Sequence, residues 1–405
     1  MVSGTQVTLL SNSGDTLTVN ANGTFSFATT LKSGSNYAAS VGTQPMGQNC
    51  TVTNGSGTIA TSNVTGIAVT CTRLSYAYVA NTGSNNVSQY TIGADGTLTL
   101  MATATVGAGN TPASVTVAPS GKYAYVANFN SSNVSQYTIG ADGALTPVAT
   151  TTVAAGANPR SVTVDPSGKY AYVTNANSNN VSQYTIGTNG ALTPMATATV
   201  GAGTLPWSVA VDPSGKYAYV ANAGSNNVSQ YTIGADGTLT PMTTATVAAG
   251  AAPDSVTFDP SGKYAYVANG GSDNVWQYTI GADGALTPMA TATVGAGNKA
   301  TSVTVDPSGK YAYVTNENSN NVSQYTIGTN GALTPMATAT VGAGTVPNSV
   351  TVDPSGKYAY VANFNSNNVS QYTIGTNGAL TPMATATVGS GAFPRGMTTT
   401  YAATH

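Results

Sequence analysis

The sequence predicts an all-β chain: a seven-bladed β-propeller of four-stranded blades preceded by a small β-sandwich. Three observations point there. The stretch Tyr-Ala-Tyr-Val-(Ala/Thr)-Asn begins at Tyr76, Tyr123, Tyr170, Tyr217, Tyr264, Tyr311 and Tyr358, each 47 residues after the last. Each period holds several short alternating runs separated by turn residues, and a repeat of roughly 40–50 residues built this way is the mark of a propeller blade. Residues 1–73 lack the repeat but still alternate like strands. The expected division is therefore 1–73 for the sandwich and 74–405 for the propeller.

In the first unit the alternating runs are Gln6–Leu10, Thr16–Val19, Thr24–Phe27, Tyr37–Val41, Cys50–Val52, Thr58–Ala60 and Ile67–Cys71. Turn signals such as Asn22-Gly23 and Ser33-Gly34 fall between them, which reads as an antiparallel sandwich. So short a module has a thin core and gains from a staple. Cys50 and Cys71 are the only cysteines and lie near two strand ends, so they are the candidates for a disulfide; two buried thiols are the alternative.

One repeat shows the anatomy of all. Ser161–Val164 is a short strand, and Asp165-Pro-Ser-Gly168 is a turn with Asp at its first position, Pro at its second and Gly at its fourth. Tyr170–Thr174 is the second strand, Asn175–Asn180 a polar turn, Val181–Ile186 the third strand and Gly187–Gly190 a hairpin of the Asn-Gly kind. Leu192–Val200 is the outer strand, where Pro194 is tolerated because an edge need not donate every N–H. The first repeat has no inner strand ahead of Tyr76 of the Ser-Val-Thr-Val-Asp-Pro kind. Arg395–Tyr401 is in register with that missing strand and is expected to supply it, closing the ring; Ile67–Thr70 is the competing segment.

Composition narrows the function. Charged residues make up 6% and the net charge is −2, so no basic surface for nucleic acid exists. No apolar run approaches the roughly 18 residues of a membrane helix. The first residues lack the charged and apolar regions of a signal peptide, which reads as a mature or trimmed chain. The single histidine is His405, so neither a Ser/His/Asp set nor a Cys/His metal cluster can form, and no cofactor is expected. The recurring Asp165, Asp212, Asp259, Asp306 and Asp353 could suggest calcium, but a side-chain-capped turn accounts for them. The recurring Asn-Val-Ser matches a glycosylation acceptor, and the hairpin turn accounts for its Asn equally well.

The repeats differ from one another on one side only. The Asp-Pro-Ser-Gly and Gly-Ala-Asp-Gly turns, on one face, hardly vary. Ahead of the first strand the series is Ala113, Arg160, Trp207, Asp254, Thr301, Asn348 and Arg395; two residues earlier it is Thr111, Asn158, Leu205, Ala252, Lys299, Val346 and Phe393. After the second strand it is Thr82, Phe129, Ala176, Ala223, Gly270, Glu317 and Phe364. Binding groups belong on loops held by a rigid scaffold. The candidate binding set is therefore Phe129, Arg160, Leu205, Trp207, Asp254, Lys299, Glu317, Asn348, Phe364, Phe393 and Arg395, displayed on an exposed rim, with free drift of loops as the alternative. Trp276 replaces a serine of the third strand and is read as a gap filler between blades.

The Tyr-Val-Thr-Asn motif, the Asp-Pro-Ser-Gly-Lys-Tyr turn and the Gly-Ala-Asp-Gly-Ala-Leu-Thr-Pro hairpin resemble the YVTN β-propeller repeats of bacterial and archaeal surface proteins. They are also similar to lactonase (phosphogluconolactonase-like) propellers. The resemblance spans about residues 74–401. Asn22–Phe27, Pro45–Cys50 and Asn63–Cys71 resemble small Ig-like modules of secreted bacterial surface proteins. The resemblance implies a secreted or cell-surface bacterial protein without catalysis, acting in recognition, adhesion or self-assembly on an extracellular protein, a glycan or copies of itself. The lactonase branch implies instead a hydrolase using Arg160, Arg395, Asp254, Asp273 or Glu317. A lectin would stack sugars on Trp207, Phe129, Phe364 and Phe393.

Overall fold

The computed structural model describes residues 5–403. They form two compact units, one of residues 5–75, 141–143 and 401–403, the other of residues 76–140 and 144–400.

The first unit carries strands β1 (Val7–Ser11), β2 (Thr16–Val19), β3 (Asn36–Thr43), β4 (Gln48–Thr53), β5 (Ser56–Thr58) and β6 (Ala68–Arg73). They form a four-stranded sheet in the order β2-β1-β3-β5 and a two-stranded sheet β4-β6. Cys50 faces Cys71 directly across the β4–β6 ladder, and the two are joined as a disulfide. Thr24–Phe27, expected as a strand, is not one. It has the right alternation but no neighbouring strand to complete a ladder, and alternation alone cannot supply a partner.

The second unit is the propeller. After β7 (Ser75–Asn81), β8 (Asn86–Ile92) and β9 (Leu98–Gly107), blades of four antiparallel strands follow: β10–β13 over 112–154, β14–β17 over 159–201, β18–β21 over 206–248, β22–β25 over 253–295, β26–β29 over 300–342 and β30–β33 over 347–389. The last strand, β34 (Pro394–Tyr401), is the inner strand of the first blade, in the order β34-β7-β8-β9.

Each blade holds together for local reasons. Asp165 is buried in its turn, where Oδ1 accepts from the N–H of Lys169 (2.9 Å) and Tyr170 (2.8 Å) and Oδ2 from the N–H of Ser167 (3.0 Å). The Ser167 hydroxyl donates to Oδ2 as well, so all four lone-pair sites of the carboxylate are taken and none is left for a metal. The Tyr rows are core: Tyr125, Tyr172, Tyr219, Tyr266, Tyr313 and Tyr360 are all fully buried. A buried phenol needs an acceptor. Tyr172 donates to the Gly237 carbonyl of the next blade (2.7 Å), and Tyr360 closes the circle by donating to Gly96 (2.6 Å). A second clip runs from the backbone N–H of Leu239 to Gln183 Oε1 (2.6 Å), and from that of Leu98 to Gln371 Oε1 (2.6 Å) across the closing junction.

Trp276 packs against the apolar cluster between the blades that contain Tyr219 and Tyr278, so it does fill a gap. The exchange has a polar consequence. Elsewhere the Asn ending the second strand bonds two partners, as Asn175 Nδ2 does with Asn180 Oδ1 and Ser182 Oγ, both 2.8 Å. With Trp at the serine position, Asn269 Nδ2 turns to Asn274 Oδ1 (3.0 Å) and Val267 O (3.1 Å).

Candidate functional site

Two local devices aim the variable residues. The first is a left-handed residue at the entry of every blade: Thr111, Asn158, Leu205, Ala252, Lys299, Val346 and Phe393 all have φ between 48° and 59°. A side-chain acceptor from the preceding blade fixes several of them, such as Asn179 Oδ1 on the N–H of Leu205 (2.9 Å) and Asp273 Oδ1 on that of Lys299 (2.7 Å). Asp273 is therefore a backbone cap rather than a free carboxylate. For Asn this backbone is cheap, but for a β-branched residue it is strained by about 1–2 kcal/mol. Replacing Val346 by Asn, the residue already used at Asn158, is expected to raise stability by about 1 kcal/mol, read as a higher denaturation midpoint; no gain would mean that the Val346 side chain offsets the strain by packing.

The second device is a β-bulge. In the β14–β15 ladder Pro159 pairs with Asn175 and Ser161 with Thr174, leaving Arg160 as the extra residue. The same shift recurs around Ala113, Trp207, Asp254, Thr301 and Asn348. Bulges re-aim a side chain that the pleat would otherwise bury between sheets. Here these six residues and Arg395 of β34, one from each of the seven blades, line a common pocket of about 220 Å³. The Ser161, Ser208, Ser255, Ser302 and Ser349 positions line it as well.

The structure thus corrects the picture of an exposed rim. Arg160, Trp207, Asp254, Lys299, Glu317, Asn348 and Arg395 share the pocket, while Phe129, Leu205, Phe364 and Phe393 do not line it. Leu205 and Phe393 are exposed, and Phe393 stacks on Phe364 with ring centroids 4.9 Å apart. The left-handed backbone and the bulge that follows were legible only as a rule of variation, because Thr, Leu, Ala, Lys, Val and Phe stand at the left-handed position beside one Asn and a ladder offset has no residue-type signature.

Inside the pocket charges are unevenly matched. Lys299 Nζ pairs with Glu317 Oε2 at 2.9 Å, the one ion pair among the described residues. The Arg160 guanidinium lies over the Trp207 ring, 4.6 Å from its centroid, a cation–π contact. Neither Arg160 nor Arg395 donates a side-chain hydrogen bond to another described residue. Burial lowers the pKa of both, and the Arg395 charge lowers that of Arg160 further, while Asp254 and Glu317 oppose the shift. Both guanidiniums stay charged at neutral pH because their starting value is so high. Asp254 Oδ1 is buried without a hydrogen-bond partner. Burial first and the Glu317 charge next push its carboxyl up to about 7, against the pull of Arg160, Lys299 and Arg395. Room for this side chain comes from Gly270, where a Cβ would lie 2.6 Å from Asp254 Oδ2. Among the described residues no group of three or more His, Cys, Asp or Glu side chains is placed to hold a metal.

Seven blades of four antiparallel strands, each with one residue lining a common pocket, place the chain among the seven-bladed β-propellers. The chain belongs to the lactonase, 7-bladed β-propeller family, whose sequence pattern matches over residues 29–157, 69–207 and 202–394. Among solved structures it is similar to a putative 6-phosphogluconolactonase of Bacteroides fragilis, with TM-score 0.72 and 22% identity over 81% of this chain and 98% of that one. It is also similar to the periplasmic gluconolactonase of Pseudomonas aeruginosa, with TM-score 0.71 and 20% identity over 82% of this chain and 100% of that one. The hydrazine synthase of Kuenenia stuttgartiensis matches with TM-score 0.58 and 22% identity over 73% of this chain and 91% of that one. At these identities the structural likeness speaks for the fold alone. No curated protein sequence matches the chain.

Proposed function

We propose that the chain is a lactone hydrolase working in the axial pocket on a sugar-sized lactone. One observation carries this reading: a carboxyl with a buried oxygen that accepts no hydrogen bond and a pKa of about 7 shares a pocket with two guanidiniums that make no side-chain hydrogen bond or ion pair to a described residue. A general base works best when its pKa lies near the working pH. Asp254 takes a proton from water, and the hydroxide attacks the lactone carbonyl. Arg160 and Arg395 stabilise the oxyanion that develops. The ring C–O bond then breaks, Asp254 returns the proton to the departing alkoxide, and the hydroxy acid so formed leaves and gives its carboxyl proton to solvent. The Lys299–Glu317 pair supports the wall beside Asp254. Membership of the lactonase family supports the same chemistry.

The recognition, adhesion or self-assembly role favoured by the sequence rests on aromatic and charged groups displayed to a partner; the collection of the charged ones in a small pocket supports hydrolysis better. A secreted setting is part of the proposal, supported by the Cys50–Cys71 disulfide, since such bonds persist in oxidising compartments.

The test is hydrolysis of δ-gluconolactone followed by proton release, corrected for the spontaneous rate. Arg395→Gln should lower kcat/KM by about 10²-fold with the fold intact, the loss seen when one oxyanion donor is removed. Wild-type turnover no faster than the spontaneous rate across a panel of five- and six-membered sugar lactones would end the proposal.

A further inference from the structure

The axial pocket is rich in hydrogen-bond donors and poor in acceptors. Ser114, Ser161, Ser208, Ser255 and Ser302 line it as a collar, one from each of five successive blades. Each Oγ accepts the backbone N–H of a valine on the next blade at 3.4 Å, as Ser161 does from Val209 and Ser302 from Val350. A hydroxyl also has one proton to give, and none of the five gives it to a described residue. Arg160 and Arg395 add two guanidiniums with no hydrogen bond or ion pair to a described residue. The Arg395 charge lowers the pKa of Arg160, so two like charges face one space with no carboxylate hydrogen-bonded between them. With Asp254 protonated, Arg160, Arg395 and Lys299 stand against Glu317 alone. Such a pocket is complementary to an anion that also carries hydroxyls.

A sugar lactone is neutral, but its ring-opened product is not. The two oxygens of the product carboxylate are the former carbonyl oxygen and the oxygen of the attacking water, so its charge forms where the guanidiniums already are. A guanidinium fork matches a carboxylate in shape and charge. We propose that the pocket is a binding site for the ring-opened product, a polyhydroxy monocarboxylate, with its carboxylate on Arg160 and Arg395 and its hydroxyls on the serine collar. The origin of that ligand rests on the hydrolase reading. Asp254 then governs release as well as attack. Once the new carboxyl has given its proton to solvent, an ionised Asp254 is a second carboxylate in the same pocket, and the two repel. The charged groups facing Asp254 are Arg160, Lys299 and Arg395, which pull its pKa down, and Glu317, which with burial raises it to about 7. Product affinity is therefore full below about 7 and is lost as pH rises through it.

The probe is D-gluconate, titrated calorimetrically into the full chain, a measurement that needs no turnover. Affinity should be about tenfold higher at pH 6 than at pH 8, with about half a proton taken up per molecule bound at pH 7, read from buffers of unlike ionisation enthalpy. Asp254→Asn should bind gluconate as tightly at pH 8 as at pH 6. D-Glucitol, the same chain without the carboxylate, and acetate, the carboxylate without the chain, should each bind at least about tenfold more weakly. Ser208→Ala combined with Ser302→Ala should weaken gluconate about tenfold and leave acetate unchanged, a split that a general loss of structure would not give. Equal binding of gluconate and glucitol, an affinity that does not change between pH 6 and pH 8, or no saturable binding of gluconate would each overturn the inference. A protein that hydrolyses lactones yet fails these measurements keeps the hydrolase reading and loses this one. A protein that binds gluconate in this way but hydrolyses no lactone loses the hydrolase reading and keeps the carboxylate site.

Discussion

Replacing Asp254 by Asn is expected to lower kcat/KM for lactone hydrolysis by about 10²–10⁴-fold, the usual contribution of a positioned general base. Asn keeps the shape and leaves the cavity unchanged, so loss of activity with an unaltered melting curve at mildly acid pH separates chemistry from folding. The pH profile gives a second readout. The base must be ionised, so wild-type kcat/KM should rise with pH through about 7 and level off above it. Stability runs the other way. A carboxyl whose pKa rises from 3.8 to about 7 on folding binds its proton more tightly in the native state, so its stabilising contribution is complete below about 3.8 and is lost as pH rises through about 7. Asp254→Asn should therefore stabilise the chain more at pH 8 than at pH 5. A pH-independent kcat/KM between 5 and 9, or an Asn variant of full activity, would remove Asp254 from the reaction.

Deleting residues 394–405 should have the largest effect on the fold. Strand β34 supplies eight residues of the first blade, and Met397 sits in a cluster with Ala77, Val79 and Tyr360. Losing that ladder together with the burial of Met397 should cost more than about 5 kcal/mol. It also bares the inner edge of β7, and an unpaired edge recruits other strands. The truncated chain should melt lower and associate, as seen by calorimetry and light scattering. An unchanged, monomeric truncation would mean that the ring holds without its last strand.

The blades were legible because repetition multiplies weak signals. One Asp-Pro-Ser-Gly turn is only a turn, but its return at a fixed distance after Ser-Val-Thr-Val defines a blade. The members of the pocket were legible too, as positions at which near-identical repeats disagree. Their placement was not. Arg160 and Trp207 read as rim residues because a strand start next to a loop is normally exposed, and only the bulges between Pro159 and Ser161 and between Pro206 and Ser208 turn them into the pocket. The placement of Asp254 was out of reach for the same reason: its room comes from Gly270, at the end of the neighbouring strand, whose contribution is space. Thr24–Phe27 shows the opposite failure, since its period was right and its partner strand is missing.

The clips between blades bear on how such a chain came to be. The Tyr-to-Gly and Gln-to-Leu bonds at the closing junction are those used inside the ring. Adding or removing one whole 47-residue cassette at the gene level would leave every junction chemically intact, so ring geometry alone selects seven. Genetic drift by unequal crossing-over is then easily tolerated in length and sharply filtered in shape. The same sameness burdens folding, because a strand emerging in sequence finds several near-equivalent docking places before the right one. A pocket that needs Arg160, Asp254 and Arg395 in fixed blades tolerates no such shuffling, so recombination within this gene would erase the site long before it erased the fold.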